Sequence, residues 1–166
     1  MSRFALGLVV AAIVLIADQG SKWWMAEVLR LPEIGRVPLV AAGPFALDLT
    51  MVWNRGVTFG MLAATAWWHA WALAAMAMAI AALLLRWLWR ADTAFLAVSL
   101  GAVIGGAVGN TIDRARWGAV FDFLDASAWN WHWYVFNVAD AAIVLGVLAL
   151  LADALFRPQA GAKEPA

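Results

Sequence analysis

From Trp67 to Leu85 the chain runs nineteen residues with His69 as its one polar side chain, and Arg86 and Arg90 close the run. The hydrocarbon core of a bilayer takes about 20 apolar residues in a helix, so this stretch predicts a membrane span. Backbone at that depth must satisfy its own hydrogen bonds, which leaves helices or a closed barrel. Three further stretches, about 4–18, 95–112 and 135–156, read the same way. The third span carries Gly101, Gly105, Gly106 and Gly109, a composition that lets neighbouring helices approach closely. The first, with Arg3 ahead of it, also has the outline of a secretory signal peptide. No small-x-small cleavage site follows it, and the polar cluster Asp18, Gln19 and Lys22 does, so it reads as a span. With 66% hydrophobic and 13% charged residues, the chain has too little polar side chain to face water, where about 25% is charged. Four spans in 166 residues leave room for one membrane domain, 1–156, and a polar tail, 157–166.

An even number of spans puts both ends of the domain on one side. Arg3, Arg86, Arg90, Arg157 and Lys163 sit densely in short flanks, which by the positive-inside rule places both termini in the cytoplasm. The longer segments, roughly 18–66 and 113–134, then face outward, and tryptophans such as Trp23, Trp24, Trp67, Trp117 and Trp131 form an interfacial belt there. The formal net charge of zero argues against a nucleic-acid partner. It also hides an asymmetry, since eight of the 11 acidic residues fall on the outer side. Within the first outer segment, Phe45, Leu47, Leu49, Met51 and Trp53 alternate with smaller or polar residues, a period of two that predicts a strand. Asn54, Arg55 and Gly56 then supply turn chemistry. An outer β segment over about 43–62 is expected to form a small sheet at the membrane surface, with a short interfacial helix over 23–30.

An acid at membrane depth costs about 2.5–3.5 kcal/mol on insertion scales, so each one within a span is a functional-site candidate. Asp18, Asp113, Asp122 and Asp140 all fall at or just beyond the outer span ends and are candidates to share one site. Asn110 with Asp113, and Asn137 with Asp140, are each three apart, which at helical spacing puts an amide and a carboxylate on one face. The structural alternative is that these acids pair with Arg114 and Arg116. Cysteine is absent, His69 and His132 stand alone, and no H-E-x-x-H, G-x-S-x-G or P-loop motif occurs. Ser21 and Lys22, as neighbours, face different sides of a helix and make a poor dyad. Acid–base chemistry therefore rests on aspartates, with no metal and no cofactor. A proton- or ion-coupled transporter is the rival reading, but its acids would be spread across the bilayer depth. The residues alone do not choose between Asp113 and Asp122 as the partner of Asp140.

Five blocks in order resemble the signal peptidase II family. Asp18-Gln19-Gly20-Ser21-Lys22 is similar to its D-Q-x-x-K motif, and the run from Asn54 through Gly56 to Gly60 to its N-x-G-x-A-F block. The run Gly105 to Asn110 with Asp113-Arg114 resembles G-G-A-x-G-N-x-x-D-R, Gly118 to Phe123 resembles G-x-V-x-D-F, and Phe136 to Asp140 resembles F-N-x-A-D. Thr58 departs from the family's more frequent Ala, which bears on fine substrate contacts. The resemblance implies an aspartic endopeptidase of the bacterial inner membrane, all-α with four transmembrane helices and an extracytoplasmic β-cradle. It implies cleavage of diacylglyceryl-modified prolipoproteins on the amino side of the lipidated cysteine, membrane lipids as surroundings, and inhibition by cyclic peptides of the kind that block the family. By the same resemblance Asp122 and Asp140 are the catalytic pair. Asp18, Lys22, Asn54, Gly56, Asn110, Asp113, Arg114, Asn137 and Ala139 support the site or contact substrate.

Overall fold

A computed structural model describes residues 1–56, 68–129 and 131–156. Helix α1 spans Arg3–Trp23 and runs on through a π-helical turn, Trp24–Val28, into a short helix α2, Leu31–Ile34. Strands β1 (Arg36–Ala42) and β2 (Phe45–Asn54) follow. Helices α3 (Trp68–Leu88) and α4 (Ala94–Trp117), strands β3 (Val120–Ala128) and β4 (Trp131–His132) and helix α5 (Val138–Phe156) complete the order. Four helices, the first taken as Arg3–Val28, are long and apolar enough to cross a membrane. The protein is thus mostly helical, with one small antiparallel sheet of order β1-β2-β3-β4.

Helix ends are set by side chains that take up orphan backbone groups. Ser2 caps α1 by accepting from the Ala5 N–H, and Thr93 caps α4 by accepting from Leu96, each at 3.1 Å. Gly118, at φ 69, ends α4 in the left-handed conformation that glycine adopts without strain. Two expected span boundaries move for one reason. Asp18, at the first expected end, and Asp113, just past the second at 112, face inward and are partnered there, so α1 continues to Trp23 and α4 to Trp117. Conversely, α5 begins at Val138 rather than 135, because Asn137 is its cap: Asn137 Oδ1 accepts from the Asp140 N–H at 2.9 Å, and Asp140 Oδ2 accepts from the Asn137 N–H at 3.3 Å. The second span extends three residues beyond Leu85, carrying Arg86 within its last turn.

Helix α4 is the centre of the bundle. Two-thirds of its apolar window is buried, against 11% for the windows of α1 and α5. Its glycines make this possible. A Cβ on Gly101 would strike the backbone of Gly7, and one on Gly105 would sit 2.5 Å from the Ala11 carbonyl. On Gly106 it would sit 2.5 Å from the Ala139 carbonyl. The outward faces of the other helices stay apolar and open, Leu145 and Leu83 among them, as surface for lipid rather than water.

The sheet packs Leu49, Phe121 and Phe123 around Leu31, with Met25 and Leu29 of the preceding turns over it. The expected strand over 45–53 is present as β2, while β1, β3 and β4 come from segments with no clear period of two. The helix predicted over 23–30 is the last residue of α1 and the π-turn Trp24–Val28, continuous with the first span, and α2 begins only after it at Leu31. Residues 57–62 of the expected β segment, with Thr58, lie outside the described residues, as do Trp67 and the tail 157–166.

Replacing Gly106 by Ala should force α4 and α5 apart, since a backbone oxygen cannot rotate away. Gly20→Ala meets nothing within 4 Å and should gain up to about 1 kcal/mol of helix propensity. Thermal unfolding of both variants in the same detergent should lower the midpoint for Gly106→Ala and hold or raise it for Gly20→Ala.

Candidate functional site

The polar side chains of the bundle gather where the C-terminal ends of α1 and α4 meet the N-terminal end of α5 and strand β3. Two layers can be distinguished. In the deeper one, Lys22 Nζ lies 2.8 Å from Asp18 Oδ2 and 2.6 Å from Asp113 Oδ2, with all three residues buried. Asp18 Oδ1 also accepts from the Ala139 N–H at 2.9 Å, tying α1 to the first turn of α5. Asp113 Oδ2 accepts from the Phe121 N–H at 3.2 Å, tying α4 to β3. Gln19 Nε2 bridges Asp18 and Asp113 at 3.1 and 2.9 Å.

The second layer holds Asp122 and Asp140. Asp122 Oδ1 accepts from Asn137 Nδ2 at 2.6 Å, and its Oδ2 from Asn54 Nδ2 at 3.0 Å. Asp140 Oδ1 accepts from Asn110 Nδ2 at 2.7 Å. The orientations of the two central amides follow from donors that can only donate. Lys22 Nζ, 3.3 Å from Asn110, must face its Oδ1, which turns Nδ2 to Asp140. The Asp140 N–H must face Asn137 Oδ1, which turns that Nδ2 toward Asp122 and Asn110 Oδ1. Each carboxylate therefore meets an amide held in place from behind.

Asn54 reaches Asp122 because β2 carries a bulge. The register runs Leu49 opposite Leu124, then Val52 opposite Asp122, so β2 spends one residue more than β3. That extra residue shifts the alternation and brings Asn54, rather than Trp53, to the face of Asp122. Arg114 fastens the turn that follows, donating from Nη2 to the Gly56 carbonyl at 3.0 Å and from Nη1 to the Asn110 carbonyl at 3.2 Å. On the other side, Phe136 pairs with Leu124 through N–H···O bonds of 2.8 and 3.0 Å, which sets Asn137 beside β3.

Burial, and after it the charge of Asp140, pushes Asp122 up to about 7, against the opposing bonds from Asn54 and Asn137. A carboxyl there gains and loses its proton near neutrality, as acid–base chemistry at that pH needs. Asp140 is half-buried and lines two clefts. One, of about 240 Å³, runs between α3, α4 and α5 past Ile80, Val103 and Ile143. The other, of about 310 Å³, is walled by Trp133, Tyr134 and Phe136 and continues along Val144 and Leu145. Among the described residues, no three acidic or histidine side chains converge as a metal site would require. His132 instead faces Asp125, with Nδ1 at 2.9 Å from its carboxylate.

The family model for signal peptidase II matches residues 10–156. This chain belongs to the signal peptidase II family. A lipoprotein signal peptidase of Methylobacterium sp. (strain 4-46) is 45% identical over 97% of this chain and 95% of its own length. One from Nitrobacter hamburgensis (strain DSM 10229 / NCIMB 13809 / X14) is 41% identical over 99% of this chain and its full length. A solved bacterial membrane enzyme, at 24% identity, shares the fold with a TM-score of 0.73 over 95% of this chain and 94% of its own. The transporter reading finds no support in any of these.

All four candidate acids of this signal peptidase come together, along with Lys22, Asn54, Asn110, Asn137 and Ala139. The structure corrects one pairing. Asp113 is bound by Lys22, Gln19 and the Phe121 N–H, while Arg114 turns to carbonyl oxygens. Adjacent helical residues point about 100° apart, so Asp113 and Arg114 do not share a partner. Two contributors were missed. Gln19 carried no signal beyond its place in the first motif. Gly109 makes room for Asp18, since a Cβ there would stand 2.6 Å from Asp18 Oδ2.

Lys22→Met leaves two buried carboxylates without their cation and should cost about 3–5 kcal/mol. Asp113→Asn should cost less, because Lys22 keeps Asp18. Unfolding midpoints of the two purified variants should rank in that order, and equal midpoints would remove the charged layer from the account of stability.

Proposed function

We propose that this lipoprotein signal peptidase is an aspartic endopeptidase whose catalytic pair is Asp122 and Asp140. Its substrate is a diacylglyceryl-modified prolipoprotein, cut on the amino side of the lipidated cysteine. The observation that carries the reading is the pair itself: two carboxyls, each held by a locked amide, in electrostatic contact, at the end of an apolar bundle. Like charges so placed share one proton at moderate cost, whereas ionising both is expensive.

With one proton on the pair, the ionised carboxylate takes a proton from water as the water oxygen bonds to the scissile carbonyl carbon. The protonated carboxyl gives its proton to the carbonyl oxygen as the double bond opens. In collapse of the tetrahedral intermediate, the C–N bond breaks, the leaving nitrogen takes a proton from the pair, and the carbonyl re-forms as one hydroxyl of the intermediate gives its proton back to the pair. One water is consumed, and the pair returns to a single proton. The two clefts that meet at Asp140 supply apolar walls for an extended peptide and for acyl chains.

Residues 1–156 act as one membrane domain with both termini cytoplasmic, the tail 157–166 included, and with the sheet and the carboxylates at the outer surface. The dense basic residues in the short flanks support that orientation. Site-supporting roles go to Asp18, Lys22, Asn54, Gly56, Asn110, Asp113, Arg114, Asn137 and Ala139. A cyclic peptide that blocks the family would occupy the region around Asp140.

Incubation of the purified protein with a lipidated prolipoprotein should give a shortened product on a gel. Asp122→Asn and Asp140→Asn should keep the elution profile and lower turnover by at least about 10²–10⁴-fold. Processing at the normal rate by folded Asp140→Asn would overturn the pair. The pH profile offers a second test. Loss of the last shared proton sets the alkaline limb, and the Asn54 amide favours the ionised form of Asp122. Asn54→Ala should therefore move that limb to higher pH, by about one unit for a lost bond to a charged group. A limb that stays in place or moves to lower pH would separate Asp122 from that titration.

A further inference from the structure

The largest cleft of the three lies at the other end of the bundle, about 670 Å³ between the first turn of α1 and the last turns of α3. Its lining is Phe4, Ala82, Leu85, Arg86, Trp89 and Arg90. Phe4 and Asp18 are fourteen residues apart on α1, so the cleft stands roughly 20 Å from the carboxylates. No step of the proteolysis uses it.

The lining residues from α3 and the turn after it fall at positions 82, 85, 86, 89 and 90, a single stripe of helical period. The stripe is graded. Ala82 and Leu85 are apolar, Arg86 and Arg90 are four apart at its end, and no acidic residue joins the lining. Trp89 packs edge-on against Phe4, with centroids 4.9 Å apart, to close one wall, yet the indole remains 73% exposed. The C-terminal end of α3 contributes about half a negative charge, which two full guanidinium charges exceed several-fold. Guanidinium groups bind phosphate oxygens in a planar, bidentate manner that suits them to phosphodiesters.

We propose that this cleft is a binding site for an anionic phospholipid, with the phosphodiester held by Arg86 and Arg90 and an acyl chain along Leu85 and Ala82. The grading of the stripe selects a lipid over a free anion, because a simple phosphate would leave the apolar half of the cleft unused. The site rests on the membrane placement of the four helices and is independent of the catalytic assignment. It would add a ligand to the direct packing that already holds the end of α3 on α1, where Leu88 lies against Gly7 and Trp89 against Phe4.

Native mass spectrometry of the full chain released from neutral detergent, with added phosphatidylglycerol or phosphatidylcholine, tests the site. The expected result is a phosphatidylglycerol adduct that survives activation which strips phosphatidylcholine. Arg90→Gln should weaken that adduct about fivefold, and Arg86→Gln with Arg90→Gln about 25-fold, at the typical contribution of one basic residue near an anionic surface. Prolipoprotein cleavage by both variants should match that of the parent protein, which also shows that they fold. Equal retention of the two lipids, an unchanged adduct in the double variant, or full displacement by millimolar inorganic phosphate would each overturn the proposal.

Discussion

A lysine ammonium between two carboxylates, all three removed from water, is the constraint around which the rest of this structure is arranged. Lys22 and Asp18 come from α1, Asp113 from α4, and the acids also accept from backbone N–H groups of α5 and β3 and from the Gln19 amide. Desolvating three charges is costly, and the attraction between them offsets the cost only where the other polar atoms are also bonded. Among the described residues every buried side-chain nitrogen and oxygen has a partner. The group therefore works as a register device. If α1 slides or rotates against α4, the ammonium leaves one acid. If β3 or α5 drifts, an acid loses its amide donor.

The same lysine acts on the second layer through geometry. It has no acceptor to offer, so Asn110 must turn its oxygen inward and its nitrogen to Asp140. Asn137 is turned in the same way by the Asp140 N–H. Asn137 also begins α5, so the bond that starts the helix and the bond that holds Asp122 belong to one side chain. A strand residue and a helix residue, which would otherwise move independently, are coupled by that amide. Close approach of α4 to α1 and α5 is the precondition, and the α4 glycines provide it at the level of backbone contact.

How much of this the sequence discloses depends on whether the signal is local. The four spans are legible because apolarity over about twenty residues is a property of one segment. The helices run past the last apolar residue because Asp18 and Asp113 face the bundle, which a single segment does not reveal. Strand β2 alternates and was legible, whereas β3 is buried along its first four residues, a pattern without a period of two. Proline at 38 and the irregular register after it weaken the signal of β1. The amide and carboxylate spacings of Asn110 with Asp113 and of Asn137 with Asp140 were visible, but their meanings differ. The first pair shares Lys22, and the second is a helix cap. The bulge register that brings Asn54 to Asp122 and the buried lysine that holds Asp113 are long-range facts, which no single segment carries.

Placing the acid pair at a strand and a helix start, rather than mid-helix, also answers a problem of solvent. A mid-bilayer pair would have to import both water and a polar peptide backbone into hydrocarbon, where each unbonded polar group costs several kcal/mol. At the end of the bundle, the sheet supplies polar backbone and the clefts beside Asp140 supply apolar walls, so one site can meet both halves of an amphiphilic substrate. Burial lifts Asp122 out of the ordinary carboxyl range, since a fully hydrated carboxyl would hold no proton near neutrality. The two carboxyls differ in access: Asp122 is fully buried beneath Asn54 and Asn137, while Asp140 opens to both clefts.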